Sequence, residues 1–144
     1  MCIKSQLSRL IQVVIVLAVV GLFAINTGHV YADTIVGQIT LSSEVGASAV
    51  DFVTNQVYLA HPHNNTITVI DGRTYETTTL IINGSPAVMA FNPINGKVYV
   101  AHYQSNTVTV IDSATHAMQT IVVGDNPEAI AVNTVTGRVY VANT

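Results

Sequence analysis

Val57-Tyr58-Leu59-Ala60-His61, Val98-Tyr99-Val100-Ala101-His102 and Val139-Tyr140-Val141-Ala142-Asn143 are three versions of one five-residue phrase. Tyr58, Tyr99 and Tyr140 are separated by 41 residues each time. The same offset carries Thr66-Ile67-Thr68-Val69-Ile70-Asp71 onto Thr107-Val108-Thr109-Val110-Ile111-Asp112, and Pro86 onto Pro127. It also carries Ala49-Val50-Asp51 onto Ala90-Phe91-Asn92 and then onto Ala131-Val132-Asn133. Residues 45–144 are therefore a repeat array, and the fold has to be read from one unit rather than from the whole.

The unit from Ser85 to Gly124 is the clearest. Ala87–Phe91 is a short apolar run that stops at Asn92-Pro93-Ile94-Asn95-Gly96, where Pro fixes φ and Asn-Gly tolerates positive φ. Lys97–His102 reads as a second strand, and Ser105-Asn106 as the turn after it. Thr107–Ile111 alternates Thr with Val and Ile, a third strand in the β-branched manner. Asp112-Ser113-Ala114-Thr115 turns again, and Met118–Val123 is the fourth. Short turns make the four strands an antiparallel sheet. Strands one and two are almost continuously apolar, which predicts burial on both faces rather than one wet face. Sheets stacked face to face at a fixed period of this size are the blades of a β-propeller. The expected class is all-β, a propeller of four-stranded antiparallel blades with about 41 residues per blade.

Three stretches carry a resemblance to a known family. Val-Tyr-Val-Ala-Asn at 139–143, Asn-Thr-Val-Thr-Val-Ile-Asp-x-Ala-Thr at 106–115 and Gly-x-x-Pro-x-x-Ile-Ala-Val-Asn at 124–133 resemble the YVTN-type β-propeller repeat. That repeat is found in secreted and surface proteins of bacteria and archaea, and the resemblance covers residues 45–144. It implies a ring of seven blades, and a range of roles from surface-layer protein to periplasmic protein and lactonase-like fold. The first copy departs from the pattern. Val45 stands in place of Pro, and Asp51-Phe52-Val53-Thr54-Asn55 in place of Asn-Pro-x-x-Gly, so a looser turn is expected there.

The repeat also organises the ends. Lys4 and Arg9 precede an apolar run, Leu10–Ile25, followed by Val30-Tyr31-Ala32 with small residues at the positions a signal peptidase reads. Residues 1–32 are expected to be a signal peptide, an uncleaved anchor being the alternative, and the run is shorter than the roughly 20 residues that comfortably span a bilayer. Cys2 lies ahead of the apolar run, so it is not placed as a lipoprotein cysteine. Gln38-Ile39-Thr40-Leu41 aligns with the fourth strands, so residues 33–44 are expected to form the outer strand of a closing blade. Residues 45–84 and 85–124 then form one blade each, and residues 125–144 the first half of another. A partial propeller over 33–144 follows as the expectation, belonging to a longer chain, with assembly from copies of this chain as the alternative.

Beyond residue 32 three cations, Arg73, Lys97 and Arg138, face eight acids, a balance of −5. That balance argues against a nucleic-acid partner, which needs a basic face. No cysteine remains beyond residue 32, so stability in an oxidising compartment must come without disulfides. Asn64 and Asn83 begin Asn-x-Ser/Thr sequons.

In an antiparallel blade the turn after strand two shares an end with the connection between blades. That end gathers His61, His63, His102, Tyr103 and Asn143, the candidate ligand-binding residues. His61, His102 and Asn143 hold one repeat position, so a ring of metal ligands is one reading, imidazole suiting Zn, Cu or Ni. The other is a polar side chain that bonds the backbone nearby, and no fixed metal-site spacing such as His-Glu-x-x-His favours the first. No catalytic residue is assigned, and no cofactor is predicted beyond that transition metal at His61 and His102. The repeated tyrosines read as contacts between blades, and Asp71 and Asp112 as turn formers. No Gly-x-Ser-x-Gly elbow, Walker loop or dinucleotide fingerprint is present. The expectation is an exported propeller, periplasmic or at the cell surface, that binds a protein, glycan or small molecule and touches no membrane beyond its N-terminal segment. The rival classes are a lactonase-like or metal-dependent redox enzyme and a surface-layer structural protein.

Overall fold

The computed structural model describes residues 43–144 together with Ile39 and Leu41. The N-terminal segment 1–32 lies outside the described residues, as does most of the outer strand expected over 33–44. Ten strands and no helix make up the described chain: β1 Ala47–Asp51, β2 Gln56–His61, β3 Thr66–Asp71, β4 Thr77–Ile81, β5 Pro86–Asn92, β6 Lys97–His102, β7 Thr107–Asp112, β8 Met118–Val122, β9 Pro127–Val132 and β10 Val139–Asn143. They form two four-stranded antiparallel sheets in simple order, β1-β2-β3-β4 and β5-β6-β7-β8, and a two-stranded sheet of β9 and β10.

Register repeats with the sequence. Ala49 pairs with Tyr58, Ala90 with Tyr99 and Ala131 with Tyr140. Across the next ladder Tyr58 pairs with Val69 and Tyr99 with Val110. Because side chains alternate between faces, a common register puts equivalent residues of every sheet on equivalent faces. Stacking can then repeat as well.

The faces do stack. Ala49, Tyr58, Ile67, Val69 and Leu80 of the first sheet form one apolar cluster with Met89, Phe91, Val98, Val100 and Ile111 of the second. The opposite face of the second sheet, with Val88, Tyr99, Ala101, Val108 and Val110, packs on Ile130 and Val141 of the third. The inner strands of the second sheet are thus covered on both sides, as their continuous apolarity predicts, and each fully buried Val, Ile or Leu contributes about 1.5–3 kcal/mol. Outer strands differ: every residue of β8 is exposed and β4 is nearly so. The polar Thr77-Thr78-Thr79 run sits where water meets the sheet.

Turns at the far end from the candidate residues are held by carboxylates and amides. Asp71 accepts from the backbone N–H of Arg73 at 2.7 Å and Thr74 at 3.2 Å, and Asp112 from Ala114 at 3.2 Å and Thr115 at 3.0 Å. The Thr115 hydroxyl, at 2.9 Å, contributes most at Asp112, and the backbone bonds most at Asp71. Together they favour the charged carboxyl and hold both half-buried acids below the usual Asp range. Tyr75 and His116, whose N–H groups donate to the Asp71 and Asp112 carbonyls at 2.8 Å, sit at φ 61° and φ 58°, a left-handed conformation that bulky residues rarely adopt. Strain of this kind persists only where surroundings over-determine it, and here the same cap does so in both repeats.

The first β1–β2 turn is not looser than its copies, contrary to the sequence expectation. Asp51 accepts from Val53 N–H at 2.8 Å, Thr54 N–H at 3.0 Å and the Thr54 hydroxyl at 2.6 Å. Asn92 and Asn133 make the same kind of turn, accepting from Ile94 and Val135 N–H at 3.0 Å each. Asn55 at φ 60° supplies the backbone that Gly96 supplies at φ 62° and Gly137 at φ 70°. A carboxylate caps as well as an amide, and Asn tolerates the left-handed region, so neither Pro nor Gly is required.

Candidate functional site

Two ends of the stack carry the polar side chains, and they differ in kind. One end holds the segment 43–46, the β2–β3 turn, the β4–β5 connection and their repeats; every residue of the sequence-derived site falls here.

His61 closes β2 and is 2% exposed. Its Nδ1 lies 2.9 Å from the Glu44 carbonyl and 2.8 Å from the Ser43 hydroxyl, and its Nε2 lies 2.9 Å from the Thr68 hydroxyl. A carbonyl only accepts, so Nδ1 donates to Glu44, while Nε2 shares its hydrogen bond with the Thr68 hydroxyl. Both ring nitrogens are thereby used inside the protein.

His102 repeats half of this. Its Nε2 is 2.7 Å from the Thr109 hydroxyl, and the residue is wholly buried. Gly84 stands where Ser43 stands in the first copy, so the hydroxyl partner is gone, and Nδ1 has no hydrogen-bond partner. Burial pushes the pKa of this ring down from its ordinary value, outweighing the nearby Ser85 and Gly84 backbone that favours the proton. His102 is a neutral ring at physiological pH, wedged between β7 and the connection that begins the second sheet.

The remaining candidates are at the surface. His63 is exposed and its Nε2 approaches the Glu44 carboxylate at 3.4 Å, an exposed pair worth little. Tyr103 is 42% exposed in the turn after β6. Asn143 is exposed at the end of β10, beside Gly124. The five candidates therefore separate: His61 and His102 are internal, whereas His63, Tyr103 and Asn143 face solvent. Among the described residues no three His, Cys, Asp or Glu side chains lie together in a way that could hold a metal ion.

Sequence reasoning missed the partners. Thr68 and Thr109 stand seven residues after His61 and His102, and that repeated His…Thr spacing was the available signal. It also missed the links between sheets. Asn92, fully buried, donates from Nδ2 to the Gly137 carbonyl at 2.8 Å. Asn106 donates to Asp125 at 2.8 Å and accepts from Asn126 N–H at 2.9 Å, so the β6–β7 turn grips the connection into the next sheet. Asp51 is the counterpart of Asn92. Burial raises its pKa, but bonds from Thr54, Ser113 and Val53 outweigh that and hold it below the ordinary value. Tyr58 sits edge-on to His116 of the second sheet, ring centroids 6.4 Å apart, and its hydroxyl donates to Gln56 at 2.8 Å. Burial first, then the Asp51 and Asp112 charges, push that phenol well above its ordinary pKa.

Solved structures share this architecture. Hydrazine synthase from Kuenenia stuttgartiensis superposes with a TM-score of 0.63 over 84% of this chain and 33% of its own, at 22% identity. A nidogen/laminin complex matches with a TM-score of 0.60 over 69% of this chain and 39% of its own, at 21% identity. Saccharomyces cerevisiae Sqt1 matches with a TM-score of 0.56 over 76% and 32%, at 11% identity. The fold is that of a β-propeller. At these identities the likeness concerns the fold alone, and the propeller repeats described here span about a third of each solved chain. No family profile and no curated protein matches the sequence.

Proposed function

We propose that this chain is part of an exported YVTN-type propeller, seven-bladed when complete, that serves as a binding scaffold in the periplasm or at the cell surface. One observation carries the reading. Polar residues that recur between repeats are consumed in holding the sheets together, whereas the exposed turn tips change from repeat to repeat. His61, His102, Thr68, Thr109, Asp51 and Asn92 all make internal hydrogen bonds. The β2–β3 turn reads Pro62-His63-Asn64-Asn65 in one copy and Tyr103-Gln104-Ser105-Asn106 in the next. A rigid frame with variable loops suits recognition, since binding residues concentrate on loops set by a scaffold. The basic start and apolar run before Ala32 support export. The ligand is a protein, a glycan or a small molecule, met by His63, Tyr103 and their neighbours.

The test is a binding screen of the purified chain against glycan and envelope-protein arrays. A triple variant, His63→Ala, Tyr103→Ala and Gln104→Ala, serves as the control. Specific binding lost in the variant, with an unchanged thermal midpoint, supports the scaffold. Turnover of a lactone that survives the triple change would replace it with the enzyme reading.

A further inference from the structure

The chain has two Asn-Gly dipeptides, Asn83-Gly84 and Asn95-Gly96, and both asparagines are exposed. Asn-Gly is chemically vulnerable because glycine, lacking a Cβ, leaves its backbone nitrogen open to the preceding side chain. Sequence and exposure treat the two alike. Hydrogen bonding does not.

At Asn95 both reacting groups are occupied. Gly96 N–H donates to the Asn92 carbonyl at 3.0 Å, and Asn95 Nδ2 donates to the Tyr99 hydroxyl at 3.0 Å. The related Asp71-Gly72 step is held in the same way. Gly72 N–H donates to Asn55 O at 2.8 Å, while the Asp71 carboxylate caps Arg73 and Thr74. At Asn83, among the described residues, the side chain makes no hydrogen bond and Gly84 N–H has no backbone acceptor. The dipeptide lies in the bend between β4 and β5, outside either ladder, with Gly84 at φ +99°.

We propose that Asn83 is a site of spontaneous deamidation, and that Asn95 and Asp71 are protected by their turns. The Gly84 nitrogen attacks Asn83 Cγ, forming a C–N bond. The side-chain amide leaves as ammonia, carrying the proton lost by Gly84, and a five-membered succinimide remains. Water opens the ring at one carbonyl or the other, leaving aspartate or isoaspartate. The net change is ammonia lost and water gained, one negative charge, and in the isoaspartyl product one extra carbon in the main chain. The site is consequential because a Cβ built on Gly84 would lie 3.3 Å from His102 Cβ and Cγ. The altered connection therefore lies against the buried imidazole.

The experiment is timed incubation of the full chain at mildly alkaline pH, with peptide mapping by mass spectrometry. Trypsin leaves both asparagines in the peptide that follows Arg73 and ends at Lys97, so fragmentation must assign the site. The expected result is a gain of one mass unit at residue 83 several-fold faster than at residue 95 in the folded chain. In denaturant the two rates converge, and Asn83→Gln removes the fast phase. Equal rates in the folded chain, or a faster change at residue 95, would overturn the proposal. A folded chain in which neither residue changes while both change in denaturant would overturn it as well.

Discussion

Acidification should destabilise this protein through His102, and the structure fixes the sign and the scale. The ring is fully buried, with Nδ1 unpartnered and Nε2 bonded to Thr109, so folding favours the neutral form. In the unfolded chain the same imidazole takes up its proton near pH ~6.5. Its folded pKa lies lower. Between the two the unfolded state binds more protons, so stability falls as pH drops. One group contributes at most about 1.4 kcal/mol per pH unit across that window, and nothing well above it. His102→Asn tests the attribution, because asparagine already occupies the position at Asn143. At neutral pH the variant loses the bond to Thr109, a residue only 3% exposed, and a buried hydroxyl without its partner costs about 1–3 kcal/mol. In acid the parent loses stability through His102 and the variant does not, so the gap between them narrows. Urea midpoints of both proteins from pH 8 downward measure this gap. The other histidines and carboxylates cancel in the difference. A gap that stays constant, or widens in acid, refutes the neutral buried ring.

Other consequences are as direct. Tyr58→Ala should cost about 3–5 kcal/mol, because a buried aromatic leaves a cavity, whereas Tyr103→Ala in the turn after β6 should stay within about 0.5 kcal/mol; Tyr58 is 0% and Tyr103 42% exposed, and paired denaturant melts decide it. Asp51→Ala should cost about 1.5–3 kcal/mol, the worth of hydrogen bonds to a charged group. It should also flatten the acid limb of the stability profile, since a lowered carboxylate pKa stabilises above the unfolded value and is lost as pH falls through the folded one. Added Zn(II) should leave the thermal midpoint unmoved, because both His61 nitrogens are already bonded. A midpoint rise abolished by His61→Ala with His102→Ala would revive the metal ring.

Strand positions were legible almost to the residue, Lys97–His102 matching β6 and Thr107–Ile111 falling one short of β7. Alternation, turn residues and a period are local signals, and short turns leave the strands little freedom of order. The first β1–β2 turn was misjudged because Asp51 and Asn55 reach the same geometry with different residues. The site was legible only as an address. His61, His63, His102, Tyr103 and Asn143 do share one end, yet burial divides them, and burial depends on sheets 41 residues apart in sequence.

By itself, then, the sequence determined the repeat, the four-stranded unit and the end at which each turn lies, because those follow from neighbours along the chain. Only tertiary structure decided that Tyr58 is core, edge-on to His116, and that His61 is a doubly bonded internal ring. It also decided that His102 lacks a partner for one nitrogen and that Asn83 is unguarded where Asn95 is held. Each of those depends on which groups another segment brings within about 3 Å, the reach of a hydrogen bond, and a repeat pattern carries no term for that.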